Sequence, residues 1–565
     1  MTQPHPNPTP PHAPHVPRVP RLLHDALLVA AEQDPSGEAL VDPHERVDYE
    51  TFLARALHVA QALQARGVRR GDRVALLAGN AASTVISLYG ILLAGAVLVL
   101  LHPHTRPDKL RFTLRDCGAR AVLTDPRGAT LLSPLRSDLP DLHTVLTLTP
   151  PDATRSSLDA PLPGDAIALD DAASDAPSRA NGSPIPLDLG ALIYTSGSTG
   201  TPKGVMLTHQ AMTFTQGSLT EYLRLDGDDR ILSALPLAFD YGLYQAFMAT
   251  HLGGTLILEP SFGFPAHLVD RMREENATVL PGVPTSFASL LSLHRSAPFT
   301  LPTVRRLTNT AAHLPDAHVT RLHEVFPSAL IYRMYGLTEC KRVAYLEPEL
   351  ALSKANSVGK AIPGTETFVL DENGHPTPPG TPGILHVRGP HVMLGYWNRP
   401  EETARMLVPG LHPGERMLNT QDVFTTDEDG YLYFVGRTDD IIKRGGEKIA
   451  PREVENALHA IPGVREAAVV GIPDPLLGEA VRAYLTLDGN ADLTPRTIKR
   501  HLTASLEPDR IPRDVIIVDD LPRTDTGKVR KRDLRDAARH DTTPEPVTPP
   551  TRPSAAVPPM GGKDA

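Results

Sequence analysis

The sequence predicts an α/β protein: a large N-terminal domain of layered, largely parallel β-sheets and helices, then a small α+β C-terminal domain. Three observations predict it. At 565 residues the chain is too long for one core, and a prior of about 150 residues per domain gives two to four units. From Leu22 onward, helical spacing alternates with short β-rich runs, the pattern of helix-covered parallel sheet. Near Gly436 the pattern changes, and an amphipathic helix followed by strands opens a compact segment.

Taken in order, residues 1–20, which include HPNPTPPHAPHVPRVP, read as a disordered Pro/His-rich tail without the charged and apolar regions of a secretory signal. DALLVAAEQ and YETFLARALHVAQALQARG have helical spacing, whereas RVALLAG, AVLTD, TLILE and ALIYRMYG read as buried strands. The apolar run Val85 to Leu101 falls short of the ~20 residues of a membrane span. Its AGA at 94–96 predicts a buried helix, a turn, and a strand over Val97–Leu101. Residues 149–188, rich in Ala, Asp, Ser and Pro, read as a long polar loop. The large domain is expected over 21–436. The small one, over 437–540, has the helix PREVENALHA and the strands EAAVVGI, AVRAYLTL and DVIIVDD. Residues 541–565 read as a second disordered tail.

Composition narrows the function. With 41% apolar and 22% charged residues the chain is globular, and a net charge of -10 gives no reason to expect a nucleic-acid partner. Cys117 and Cys340, the two cysteines, make neither a disulfide scaffold nor a zinc site. A cytoplasmic protein without integral membrane association is the expectation.

The strongest chemical signal is ALIYTSGSTGTPKGVMLTH, residues 191–209. A strand runs into Thr195, Ser196, Gly197, Ser198, Thr199, Gly200 and Thr201, then Lys203, with a helix beginning near Thr208. Small residues let backbone N–H groups and hydroxyls close around phosphate oxygens, and a lysine balances their charge. Pro202 stands where a Walker A loop needs glycine, so the loop is of another kind.

This segment resembles the phosphate loop of the AMP-forming (ANL) superfamily of acyl-CoA synthetases, amino-acid adenylation domains and luciferases. Further motifs follow in that family's order: YGLTE at 335–339, TQD at 420–422, GRTDDIIKRGGEKIAPREVE at 436–455 and LPRTDTGKVRK at 521–531. The resemblance implies an acid-thiol ligase that uses ATP and Mg²⁺ to make an acyl-adenylate and then a thioester. Coenzyme A is the favoured thiol and an acyl carrier protein the rival. It implies that Tyr335 packs on adenine, with Gly336 and Thr338 in the same segment, and that Glu339 binds magnesium. It implies that Asp422 grips the ribose, Arg437 helps fix the nucleotide, and Lys528 bridges substrate carboxylate and α-phosphate. Asp439 falls on the hinge of a mobile small domain. The resemblance implies that a turn about this hinge brings Lys443, Gly445 and Gly446 toward the incoming thiol. Gln421 replaces the usual glycine of TGD, and NTAAHLP at 309–315 replaces a segment often rich in glycine.

The segment LPLAFDYG, residues 235–242, resembles the family's acyl-pocket wall, so Phe239, Asp240 and Tyr241, with Ala311, are expected to line it. Many acyl-CoA synthetases have histidine where Phe239 stands, whereas amino-acid-activating relatives have Phe-Asp and pair the aspartate with the substrate amine. Asp240 therefore has two readings: amine anchor, or a carboxylate satisfied by backbone donors or a basic neighbour. GGEKIAPREVE has the acyl-CoA-ligase form, which favours coenzyme A. Loss of Lys528 or Glu339 would mark a non-catalytic binding module, and both are present.

Overall fold

This computed structural model describes residues 20–148, 165–169, 183–196, 201–310, 312, 314–444, 447–488, 493–503, 505–523 and 529–539. The chain divides into two units: the residues up to Gln421 with Thr425–Tyr433, and Asp422–Phe424 with the residues from Phe434 on.

The first unit is built on a nine-stranded and an eight-stranded sheet. In the nine-stranded sheet, Leu330–Tyr335, Arg306–Asn309, Val279–Gly282, Arg230–Ser233, Thr255–Leu258 and Glu38–Val41 lie side by side and parallel. Ala344–Leu346 and Lys360–Ala361 extend one edge antiparallel, and Arg46–Asp48 closes the other. TLIL at 255–258 and VLPG at 279–282 are buried throughout because the sheet is covered on both faces. Helices Pro265–Glu274, Pro284–Ser296 and Asp316–Val325 cover one face, where Leu268, Met272, Phe287, Leu290, Val319 and Leu322 meet Leu232, Ile257, Leu280 and Leu307. Fully burying one such side chain is worth about 1.5–3 kcal/mol.

The eight-stranded sheet runs from Gly395–Tyr396 through Pro202–Thr208, Leu189–Ser196, Val97–Leu101, Arg73–Leu77, Ala121–Thr124 and Thr144–Thr147 to Ile167–Ala168. Helix Ala82–Leu93 stops before Gly95, whose φ of 76° turns the chain into the buried strand Val97–Leu101, the layout expected from AGA. Among the described residues no helix is long and apolar enough to cross a membrane. One sequence expectation needs correcting: within the stretch 149–188, Ile167–Ala168 is a strand parallel to Thr144–Thr147. Two residues were too short for a periodic signal.

In the second unit a hairpin of Val464–Asp474 and Gly478–Leu487 carries Asp514–Ile517 parallel to its second strand. Helix Pro451–His459 buries Val454 and Leu458 in the core with Ile442, Val469, Val481, Ile498 and Leu502. Its apolar residues recur at helical spacing, as the sequence predicted.

Candidate active site

Because the central strands of the nine-stranded sheet are parallel, the segments that follow them leave from one edge. Those segments are LPLAFDYG, Val283–Pro284, the run from Thr310, and the run from Gly336. The carboxyl edge is where open α/β sheets bind ligands. Tyr335 ends its strand half-buried, and the chain folds back so that the Val343 amide donates to the Tyr335 carbonyl at 2.9 Å. A Cβ on Gly336 would lie 2.2 Å from the Lys341 carbonyl oxygen, so this bend admits only glycine. Thr338 and Glu339 follow on the bend, both half-buried.

The resemblance-derived phosphate loop joins Leu189–Ser196 to Pro202–Thr208, an antiparallel hairpin with Thr195 opposite Lys203 and Ser196 opposite Pro202. Gly197, Ser198, Thr199 and Gly200 lie outside the described residues, as does the side chain of Ser196, while Thr201 is exposed. Thr208 caps helix His209–Tyr222 by accepting from the Ala211 amide at 3.0 Å, the start read from the sequence.

One residue that sequence reasoning missed joins the hairpin to the bend. Tyr396, opposite Val205 in the neighbouring strand, donates its hydroxyl to Glu339 Oε1 at 2.5 Å. Lys203 Nζ lies 5.3 Å from the centroid of the same ring, within cation–π range. Trp397, the next residue, fixes this arrangement: its amide donates to the Gly204 carbonyl at 2.8 Å and its indole N–H to the Asp116 carbonyl at 3.0 Å. The Asp116 carboxylate accepts from the Tyr194 hydroxyl at 2.7 Å and from Arg399 at 2.8 Å. The aromatic pair inside LGYWN was the available signal, and no periodicity marks it.

LPLAFDYG leads into helix Asp240–Leu252, with Phe239 extended at its N-cap. A Cβ on Gly242 would fall 2.2 Å from the Pro236 carbonyl oxygen, so glycine lets the helix start against the loop. Tyr241 is buried, its hydroxyl donates to the Thr308 carbonyl at 2.8 Å, and Phe239 packs edge-on at 6.2 Å. Burial pushes the Tyr241 phenol up to about 12.

Asp240 Oδ2 lies 3.7 Å from Lys341 Nζ. Lys341 is itself buried between aromatic faces, 4.7 Å from the Tyr244 centroid and 5.3 Å from that of Tyr241. Burial lowers its amine to about 7 against the pull of Asp240. Asp240 thus has a basic neighbour in Lys341. Arg342, also buried, donates from Nη1 to Thr310 Oγ1 at 2.5 Å and sits 5.5 Å from the Tyr241 centroid. Ala311 lies outside the described residues. Next to it, Asn309 Nδ2 donates to the Ala312 carbonyl at 3.0 Å.

The second unit holds the remaining candidates. Asp422 is nearly buried, and Arg437 Nε stands 3.5 Å from its Oδ1. Asp439 is exposed, and its carbonyl accepts from Arg535 Nη1 at 3.2 Å. Lys443 is exposed, with its amide donating to Glu479 Oε2 at 2.7 Å. Gly445, Gly446 and Lys528 lie outside the described residues. In the first unit, Gln421 has φ 58°, the left-handed region. That conformation explains why glycine is usual at the position and why glutamine there carries strain.

Among the described residues no group of three or more His, Cys, Asp or Glu could hold a metal ion. A single carboxylate such as Glu339 fits Mg²⁺, which takes one or two protein carboxylates and completes its shell with nucleotide phosphates and water.

Comparison with known proteins gives the chain its family. Residues 27–397 match the AMP-binding enzyme family and 453–528 the AMP-binding enzyme C-terminal domain. The chain is 33% identical over 508 residues to a feruloyl-CoA synthase of an Amycolatopsis species, covering 89% of this chain and 96% of that one. It is 30% identical over 533 residues to a long-chain-fatty-acid–CoA ligase of Bacillus subtilis, covering 91% and 94%. The structure of ATP-bound MatB from Rhodopseudomonas palustris superposes with a TM-score of 0.82 at 29% identity, covering 93% of this chain and 100% of that one.

Proposed function

Because the chain belongs to the AMP-binding enzyme family, we propose that Lys203, Glu339 and the loop from Thr195 to Thr201 serve the phosphate side of its reaction. The protein is an AMP-forming acid–CoA ligase. It uses ATP, Mg²⁺ and coenzyme A: a carboxylate oxygen attacks the α-phosphorus, pyrophosphate leaves, and the acyl group of the adenylate passes to the thiol. The attack brings anion against anion, so the protein must supply cations and oriented donors in advance. Bound Mg²⁺ supplies charge neutralisation at the phosphates, and Glu339 is the residue that would hold it.

The contact of Tyr396 with both Glu339 and Lys203 carries this assignment, since it orients the proposed metal ligand and the proposed phosphate cation through one ring. Tyr396 is accordingly a positioning residue. The other roles rest on the family resemblance: Tyr335 under the adenine, with Gly336 and Thr338 beside it; Asp422 on the ribose, with Arg437 bracing it; Lys528 between carboxylate and α-phosphate. Asp439 is the proposed hinge, with Lys443, Gly445 and Gly446 along the thiol passage. Phe239, Tyr241 and Ala311 are proposed walls for the acid.

A carrier-protein arm as acceptor, with an amino acid as substrate, is the less favoured reading. An amine anchor needs a carboxylate looking for a cation, and Asp240 already has Lys341. A cytoplasmic location is proposed as well, supported by two buried cysteines that are free thiols.

The deciding experiment is ATP–pyrophosphate exchange across aliphatic, aromatic, dicarboxylic and amino acids, followed by mass detection of products made with coenzyme A or with a phosphopantetheinylated carrier protein. Acid-dependent exchange and a CoA thioester are expected. Exchange with acyl transfer only to the carrier protein would reverse the choice of acceptor.

A further inference from the structure

The polar cluster behind the Glu339 bend holds a buried guanidinium, that of Arg342, which no carboxylate among the described residues meets in an ion pair. Lys341 and Arg342 are both buried, with relative exposures of 4% and 1%, and among the described residues their one ion pair is that of Lys341 with Asp240. Arg342 faces the Thr310 hydroxyl and the Tyr241 ring, and its buried Nε has no hydrogen-bond partner. The nearest further carboxylate along the chain, Glu339, accepts from Tyr396 and is assigned above to the phosphate side. A buried cation without an anion is costly, several kcal/mol after relaxation, and a guanidinium is built to meet a carboxylate with paired N–H donors.

The backbone supports a functional reason for this cost. Lys341 has φ 63°, a left-handed conformation that a lysine adopts at a penalty. Such strain persists where surrounding structure enforces it, and it gathers at ligand sites. The cluster draws on three of the segments leaving the carboxyl edge: Asp240 and Tyr241 after Arg230–Ser233, Thr310 after Arg306–Asn309, and Lys341 and Arg342 after Leu330–Tyr335. Tyr241, proposed as an acyl-pocket wall, has both cations within 5.5 Å of its ring centroid.

We propose that the acid this ligase activates carries a second anionic group, a dicarboxylate being the simplest case, and that Arg342, beside the Asp240–Lys341 pair, receives that group. This rests on the reading of LPLAFDYG as a wall of the acyl pocket. The carboxylate to be activated goes to the adenylation centre, and the second one meets the Arg342 guanidinium. A long-chain fatty acid would leave that guanidinium buried and without a carboxylate.

The test is the rate of CoA thioester formation by the full chain on matched acids: hexanoate against adipate, and benzoate against terephthalate. The wild type should favour the diacid of at least one pair by about tenfold or more in kcat/KM, the scale of one charge-assisted hydrogen-bonded pair. Arg342→Met should erase that preference through the KM for the diacid. The double variant Asp240→Asn with Lys341→Met removes the neighbouring pair, leaves the Arg342 guanidinium in place, and should keep the preference. This variant also controls for folding damage, because it alters the same cluster. Preference for monoacids by the wild type, or a diacid preference untouched in Arg342→Met, would overturn the proposal while leaving the ligase reading intact. Failure of every acid to support either exchange or thioester formation would overturn the ligase reading itself.

Discussion

The hydroxyl of Tyr396 donates to the Glu339 carboxylate at 2.5 Å across 57 positions of sequence. A hydrogen bond to a charged acceptor is worth about 1.5–3 kcal/mol. Tyr396→Phe removes the donor but keeps the ring under Lys203. It should lower the exchange rate at limiting Mg²⁺ by about tenfold, with partial recovery as Mg²⁺ is raised. Tyr396→Leu also removes the cation–π contact and should fall further. Equal rates for wild type and Tyr396→Phe at every Mg²⁺ concentration would remove the positioning role.

Lys528→Ala should slow formation of acyl-adenylate from free acid and ATP by about a hundredfold or more, because that step loses the cation between two anions. Conversion of synthetic acyl-adenylate to thioester should be largely retained. Rapid-quench measurement of both half-reactions separates the two, and a normal first half-reaction would refute the assigned role.

Gln421→Gly should stabilise the protein. The native φ of 58° is strained for glutamine and open to glycine, while glycine gives back part of the gain through its unfolded-state freedom. A net rise of roughly 0.5–1 kcal/mol is expected, read as a higher urea midpoint of the first unfolding transition. A lower midpoint would mean that the side chain of Gln421 outweighs its backbone cost.

His209 should make stability fall in mild acid. It is buried at the start of its helix, its Nδ1 accepts from the Leu23 amide at 3.3 Å, and His24 packs edge-on at 5.9 Å. Burial lowers the imidazole to about 4, whereas the unfolded chain titrates near 6.5. Above 6.5 both states are neutral and the contribution is whole; as pH falls from 6.5 through about 4 the unfolded state binds the proton first and the contribution is lost. The loss amounts to roughly 3 kcal/mol at the acid end. Thermal melts of wild type and His209→Gln at pH values across this window should converge as pH falls; a constant gap would count against the assignment.

Local structure was legible wherever burial is reported by periodicity. The helix Asp25–Gln33, the turn at Gly95 into Val97–Leu101 and the capped helix after Thr208 all follow from spacing and turn chemistry. The family motifs identified Glu339 and Lys203 as candidates, but not what holds them. Tyr396 and Asp116 belong to contacts made by strand register and by a chain closure of 281 residues, and no window of sequence contains both ends. Asp240 stood out as a carboxylate in an apolar run, yet its partner sits on a loop that follows a different strand. That Gln421 occupies a left-handed position was foreshadowed by its standing where glycine is usual; the angle itself needed the fold.

The chain contains a single tryptophan, and it is Trp397. Its backbone is bonded to Gly204 in the hairpin beside Lys203, its indole N–H to Asp116, and Arg73 lies 5.4 Å from its ring centroid. The protein therefore carries one indole fluorophore, excited apart from its tyrosines at the long-wavelength edge, next to the strand that leads out of the proposed phosphate loop. Its emission reads out that one neighbourhood, so an unlabelled titration with ATP should shift it if the nucleotide is held beside Lys203, as proposed, and leave it unchanged if not.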